Sequence, residues 1–174
     1  VDAICLPLIT VHDAKPFYWT EEEESVLVHL IAQLLLHPAV VTIGQNISYD
    51  CQYLWRHWGF LPRRVRDTMI GHHSIFSNMR KGLDFLSSMY AQDHVYWKEE
   101  IKDWDPRIGE EQYWTYNCKD ACITWEIWPE IWASVEEKSL TEHAEFQQQL
   151  FFPVLRMMNR GIRLDVSQRT SLRN

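Results

Sequence analysis

Two short strings hold most of the chemistry available to this chain: Gly44-Gln45-Asn46-Ile47-Ser48-Tyr49-Asp50 and Tyr116-Asn117-Cys118-Lys119-Asp120. Each sets an acid near a tyrosine, at the start of a helix or inside one. Two carboxylates distant in sequence, once brought together by a fold, make a site for hard divalent cations, which prefer oxygen donors. Tyr116 and Asp120 share one face of a helix at i,i+4 spacing. There a phenol hydroxyl can hold a water while a cation on Asp120 lowers the pKa of that water. Phosphodiester hydrolysis at neutral pH needs both. Taken singly, these residues have plainer uses. Asp50 could complement a helix N-terminus, Asn46 could be a turn residue, and Tyr116 with Asp120 could be a surface hydrogen-bonded pair. Asp67 and Asp84 read as helix caps, with a supporting place near the site as the alternative for Asp67. The adjacent His72 and His73 cannot point the same way and read as surface and packing residues.

The elements that must position these groups follow from the hydrophobic pattern. Ala3 to Thr10 is an apolar strand candidate. Thr20 opens a capping box with Glu23, and Leu27, Leu30, Ile31, Leu34 and Leu35 form one helical face that Pro38 ends. Val40 to Ile43 is a short buried strand closed by Gly44. A helix follows from about Tyr49 to Gly59, with Leu54, Trp55 and Trp58 inward. Val65 lies in a second short strand. Met69 to Phe76 and Leu83 to Tyr90 are short helices. Residues 92 to 109 lack periodicity and read as a functional loop. A long helix spans about Glu110 to Glu137 and kinks near Pro129. Another starts at Ser139 or Thr141 with Phe146, Leu150, Val154 and Met158 along one side, bends at Pro153 and stops at Gly161. Strands and helices alternate, so the class is α/β.

The 174 residues suit one domain with a small attachment, and a hydrophobic share of 46% is enough for a core. No apolar run reaches membrane-spanning length, and Val1 to Pro7 lacks the basic region of a signal peptide. The four cysteines lack metal-finger spacing and read as buried free thiols in a reducing compartment. A formal net charge of −7 argues against wrapping long nucleic acid, yet a short strand end held through cations remains compatible with it. Basic residues cluster at Arg56, Arg63, Arg64 and Arg66, then at Arg80 and Lys81, then at Lys98 and Lys102. Trp125, Trp128 and Trp132 recur at helical spacing and read as packing residues.

With the motifs in this order, the chain resembles the 3′–5′ proofreading exonuclease domain of family A DNA polymerases. Gly44 to Asp50 resembles the second exonuclease motif of that family, and Tyr116 to Asp120 its third, in the subtype that carries tyrosine. Between them, Asp67-Thr68-Met69 and Gly82-Leu83-Asp84-Phe85-Leu86 resemble the connecting helices. Met157 to Asp165 resembles the junction into a polymerase domain. Tyr96-Trp97-Lys98 and Tyr116-Asn117 resemble bacteriophage members. The resemblance implies a ribonuclease H-like fold with a mixed sheet and flanking helices. It divides the chain into an exonuclease-like region, 1–138, and a helix and junction, 139–174.

The resemblance also implies a function. Two divalent ions, Mg²⁺ or Mn²⁺, about 3.5–4 Å apart, would cleave one nucleotide at a time from a DNA 3′ end. Asp50 and Asp120 would be the metal ligands, and Tyr116 would orient the attacking water. Gln45, Asn46 and Tyr49 would line the single-strand groove, Arg80 would hold a phosphate and Trp97 would touch the terminal bases. The partners implied are a single-stranded DNA 3′ end and a polymerase domain, with no membrane, in a bacterial cytoplasm. The first motif of the family, an Asp-x-Glu on a strand, is expected upstream of Val1 to Thr10, which resembles the strand after it. Asp2 does not substitute for that motif. With two carboxylates against two cations, the expectation for this polypeptide alone is feeble or no cleavage. A non-catalytic single-strand-binding scaffold and a ribonuclease D-like RNA exonuclease are the alternatives.

Overall fold

The structure is a computed structural model and describes residues 2–10, 17–92, 97, 99, 105 and 109–173. Tyr96, Lys98, Lys102 and most of the loop expected over 92–109 lie outside the described residues. Helix α1 (Glu21–Leu36) starts on the expected capping box. Thr20 Oγ1 accepts from the Glu23 N–H at 3.2 Å, and Glu23 Oε2 accepts from the Thr20 N–H at 3.0 Å. Strand β1 (Thr42–Gly44) leads through a short loop into α2 (Ser48–Tyr53). This helix widens into a π-helical turn (Leu54–Trp58) and ends on Gly59, whose φ of 73° favours a residue without Cβ. Strand β2 (Val65–Asp67) runs parallel to β1, with Thr42 opposite Val65, Ile43 opposite Arg66 and Gly44 opposite Asp67. Among the described residues the sheet is this parallel pair, which is compatible with part of the expected mixed sheet.

Helices α3 (Thr68–Ile75), α4 (Leu83–Tyr90) and α5 (Glu111–Glu137) follow, then α6 (Thr141–Gln149), α7 (Phe151–Arg160) and α8 (Val166–Arg173). The long α5 packs against α3, α4 and β1. Its approach to α3 is close at Gly71, where a Cβ would meet the Ile131 methyl at 3.0 Å. Among the described residues two apolar clusters form the core. Ile47, Cys51 and Val65 pack with Phe151 and Leu155 under the sheet, and Leu83, Leu86, Ile127 and Ile131 pack with Trp97 between α4 and α5.

Several expectations are corrected. Ala3 to Thr10 is not a strand: Ile9 makes a single antiparallel bridge to Phe17. Pro7 has no N–H to donate, so a ladder cannot run through it. Helix α1 lies at the periphery with no residue fully buried, and Leu30 and Leu34 are exposed. Trp55, in the turn after α2, is exposed, and so is Trp125, because Ile127, Ile131 and Val135 take the inner face of α5. Asp84 sits in the first turn of α4, but Gly82 holds the cap position and no side chain caps that helix. His72 is fully buried and bonded through Nδ1 to the Tyr90 hydroxyl at 2.9 Å. The last expected helix is two helices. Pro153 falls in the first turn of α7, where an absent N–H breaks no internal bond. Ala144, Gln148, Phe151 and Leu155 make the inner face, leaving Phe146, Val154 and Met158 exposed.

Candidate nuclease site

Gly44 ends β1 beneath the Ile47 side chain, and a Cβ there would lie 2.7 Å from it. This close approach lets the chain turn sharply through Gln45 and Asn46 into α2. Asn46 takes the left-handed region, with φ 52°, a conformation asparagine tolerates better than bulkier residues do. The turn is held from below by Asp67, at the end of the neighbouring strand. The Asn46 N–H donates to Asp67 Oδ1 at 3.1 Å and the Ile47 N–H to Oδ2 at 3.0 Å, while Met69 N–H donates to Oδ1 at 2.8 Å. Asp67 therefore caps α3, as its sequence position suggests, and also clamps the second motif. Its carboxylate is 1% exposed, and burial raises its pKa against the opposing pull of these N–H bonds.

Gln45 points back into the fold. Its Nε2 donates to the Lys81 carbonyl at 2.6 Å, and its Oε1 accepts from the Thr68 hydroxyl. Asn46 and Tyr49 are exposed beside it. The Tyr49 ring packs on Tyr53 at 5.1 Å between centroids, with the hydroxyls 3.5 Å apart. The bond to Tyr53 raises the Tyr49 phenol pKa, and the neighbouring Tyr113 adds to the effect. Asp50 follows in the first turn of α2. It remains exposed to solvent, and partial desolvation raises its carboxyl from the ordinary carboxylate range, offset in part by its own N–H. Next to it, the buried Cys51 thiol is pushed up to about 12 by burial and by the Asp50 and Asp67 charges, so it is a packing residue and not a nucleophile.

Helix α5 presents Tyr116 and Asp120, both half-buried. Trp97 was expected as a contact to terminal bases. It is 2% exposed and donates its indole N–H to Asp120 Oδ1 at 2.7 Å, which fixes that carboxylate. Tyr116 packs on the edge of the same cluster. Arg80 is exposed on the loop between α3 and α4, one residue from the carbonyl that Gln45 bonds.

The strand that precedes the second motif, β1, lies against the helix that carries the third, α5. Ile43 of that strand and Ala121, the residue after Asp120, line one groove of about 410 Å³ together with Asp2, Ile4 and Trp125. As hard oxygen donors Asp50 and Asp120 suit Mg²⁺ or Mn²⁺. Among the described residues no three or more of His, Cys, Asp and Glu gather into a metal cluster.

Two supports, one buried and one half-exposed, were not evident from sequence. Gln148 on α6 bonds both backbone polar groups of Asp67: its Oε1 accepts from the Asp67 N–H at 3.0 Å, and its Nε2 donates to the Asp67 carbonyl at 2.9 Å. One position earlier, Arg66 makes a bidentate pair with Glu145 at 2.7 and 2.8 Å. A polar residue on a helix ordinarily marks a solvent face, so only the buried register of Ala144 and Phe151 around Gln148 could have signalled it.

No curated protein matches the chain. A family model described as 3′–5′ exonuclease matches residues 11–136, a span that contains both motifs, Asp67 and nearly all of α5. The helix-rich fold around a parallel strand pair is compatible with the ribonuclease H-like architecture of such domains. The chain belongs to the 3′–5′ exonuclease domain family of family A DNA polymerases.

Proposed function

We propose that this chain is the proofreading nuclease region of a DNA polymerase and hydrolyses the 3′-terminal phosphodiester of a single DNA strand. The observation that carries the reading is the packing of β1 on α5, which aligns the strand leading to Asp50 with the helix bearing Asp120. Asp50 and Asp120 would hold divalent cations, Mg²⁺ or Mn²⁺. When bound, such ions supply a water of lowered pKa and neutralise charge on the leaving oxygen. Tyr116, one turn before Asp120, orients the attacking water through its hydroxyl. The clamp from Trp97 keeps the Asp120 carboxylate from rotating away. Asn46 and Tyr49 border the groove for the strand end, with Tyr49 offering an exposed ring to a base. Gln45 holds the loop that carries Arg80, and Arg80 meets a backbone phosphate. The polymerase-like stretch from Arg160 to Asp165 favours DNA over RNA as substrate.

Two carboxylates are half of what two divalent ions call for, so this polypeptide should bind them weakly and cut slowly. The test is a 3′-end trimming assay on single-stranded DNA with Mn²⁺, run beside the Asp50→Ala and Asp120→Ala variants. Slow, metal-dependent shortening that is lost in both variants supports the reading. Shortening that persists in both variants, or that proceeds without metal, refutes it.

A further inference from the structure

The second motif is fastened to the rest of the molecule by a chain of buried polar contacts that ends on α6. Gln148, 4% exposed, saturates the backbone N–H and carbonyl of Asp67. The Asp67 carboxylate holds the Asn46 and Ile47 N–H groups, and Ile47 immediately precedes the helix that carries Asp50. Buried polar groups bonded in series leave little freedom, since breaking one contact strands its partner away from water. We propose that Gln148 is a positioning residue of the nuclease site, which aligns the Asn46–Ile47 turn and hence Asp50 through the backbone of Asp67. The inference rests on the nuclease reading for the meaning of Asp50, but not for the mechanical link. It gives α6, which lies beyond the span the family model matches, a share in the site.

Two other contacts separate this link from simple docking of α6. Glu145, on the same helix, gives both its carboxylate oxygens to Arg66, whereas the bonds to the Asp67 backbone come from Gln148. Opening that pair loosens the helix without releasing the carboxylate. Ile47 also packs in the apolar cluster with Phe151 and Leu155, so apolar packing alone predicts no special dependence on Gln148.

The test is amide hydrogen exchange of the isotopically labelled chain followed by NMR. Gln148→Met removes both bonds at nearly constant volume and should speed exchange at Asn46 and Ile47 about tenfold or more. Glu145→Gln should leave the same amides within about twofold of the parent. Equal acceleration in the two variants, or none in Gln148→Met, overturns the proposal. A second measurement needs no variant. In the unaltered chain under low urea, the Gln148 side-chain amide and the Asp67, Asn46 and Ile47 amides should open as one unit, and independent opening of Asn46 and Ile47 overturns the link. Mn²⁺ added to the unaltered chain should broaden signals around Asp50 and Asp120. Absence of that broadening removes the nuclease reading and the proposed role with it, whatever the exchange data give. In Gln148→Met the broadening at Asp50 should need about tenfold more Mn²⁺ than in the parent, with Glu145→Gln unchanged, and normal broadening at Asp50 or unchanged exchange in Gln148→Met removes the positioning role alone.

Discussion

Replacing Asp67 with asparagine tests the clamp beneath the second motif with almost no change in shape. In the parent, Oδ1 accepts two N–H groups and Oδ2 accepts one. An asparagine can keep its oxygen for Asn46 and Met69, but its NH₂ then faces the buried N–H of Ile47. An orphaned buried donor costs about 1–3 kcal/mol. Removing a buried charge returns part of this, so the net loss should be about 1–2 kcal/mol at pH 7. For a chain of this length that lowers Tm by about 2–8 °C. In urea, the midpoint should fall while the slope stays constant. The pH dependence has a definite sign. Burial raises the Asp67 pKa in the folded state, so its favourable contribution is full below the unfolded value and fades as pH rises through the folded one. The deficit of Asp67→Asn relative to the parent should therefore be larger near pH 4 than at pH 7. An unchanged midpoint at both pH values, or a deficit that grows toward neutral pH, would refute the reasoning.

Trp97→Phe removes the donor to Asp120 while keeping the ring in the α4–α5 cluster, and should weaken Mn²⁺ binding about tenfold by calorimetric titration, with little change in fold by circular dichroism. Cys51, with its thiol pushed up to about 12, should resist iodoacetamide at pH 8 in the folded chain and react once urea opens it; mass mapping of the alkylated peptides reads both states, and rapid labelling of the native chain at Cys51 would contradict the packing described.

Much of this architecture could be read in the residues, and the exceptions have identifiable causes. The capping box at Thr20 and Glu23, the stop at Gly59 and the short helices after Asp67 and Gly82 are local signals, satisfied by neighbours within a few positions. The two motifs were legible as chemistry because their residue types and order are unusual together. What escaped was long-range. The inner face of α6 and α7 runs through Gln148 and not through Phe146 and Val154, because Asp67 offers a buried backbone that needs a double partner and apolar periodicity cannot register that need. Trp97 looked like a loop aromatic for a base because nothing nearby in sequence shows that Asp120 would receive its N–H. The strand expected at Ala3 to Thr10 had the right composition, but Pro7 breaks the ladder it would need.

The span between Arg66 and Glu145, 79 positions along the chain, has a bearing on biosynthesis. Both strands and all of α5 leave the ribosome before Glu145 does. Until then the guanidinium of Arg66 lacks its carboxylate partner, and the end of β2 lacks its cover. Contacts of such separation close late and at high entropic cost, which slows folding. A nascent chain paused ahead of α6 would therefore hold the Ile47–Cys51–Val65 cluster without Phe151 and Leu155, open to association with other chains.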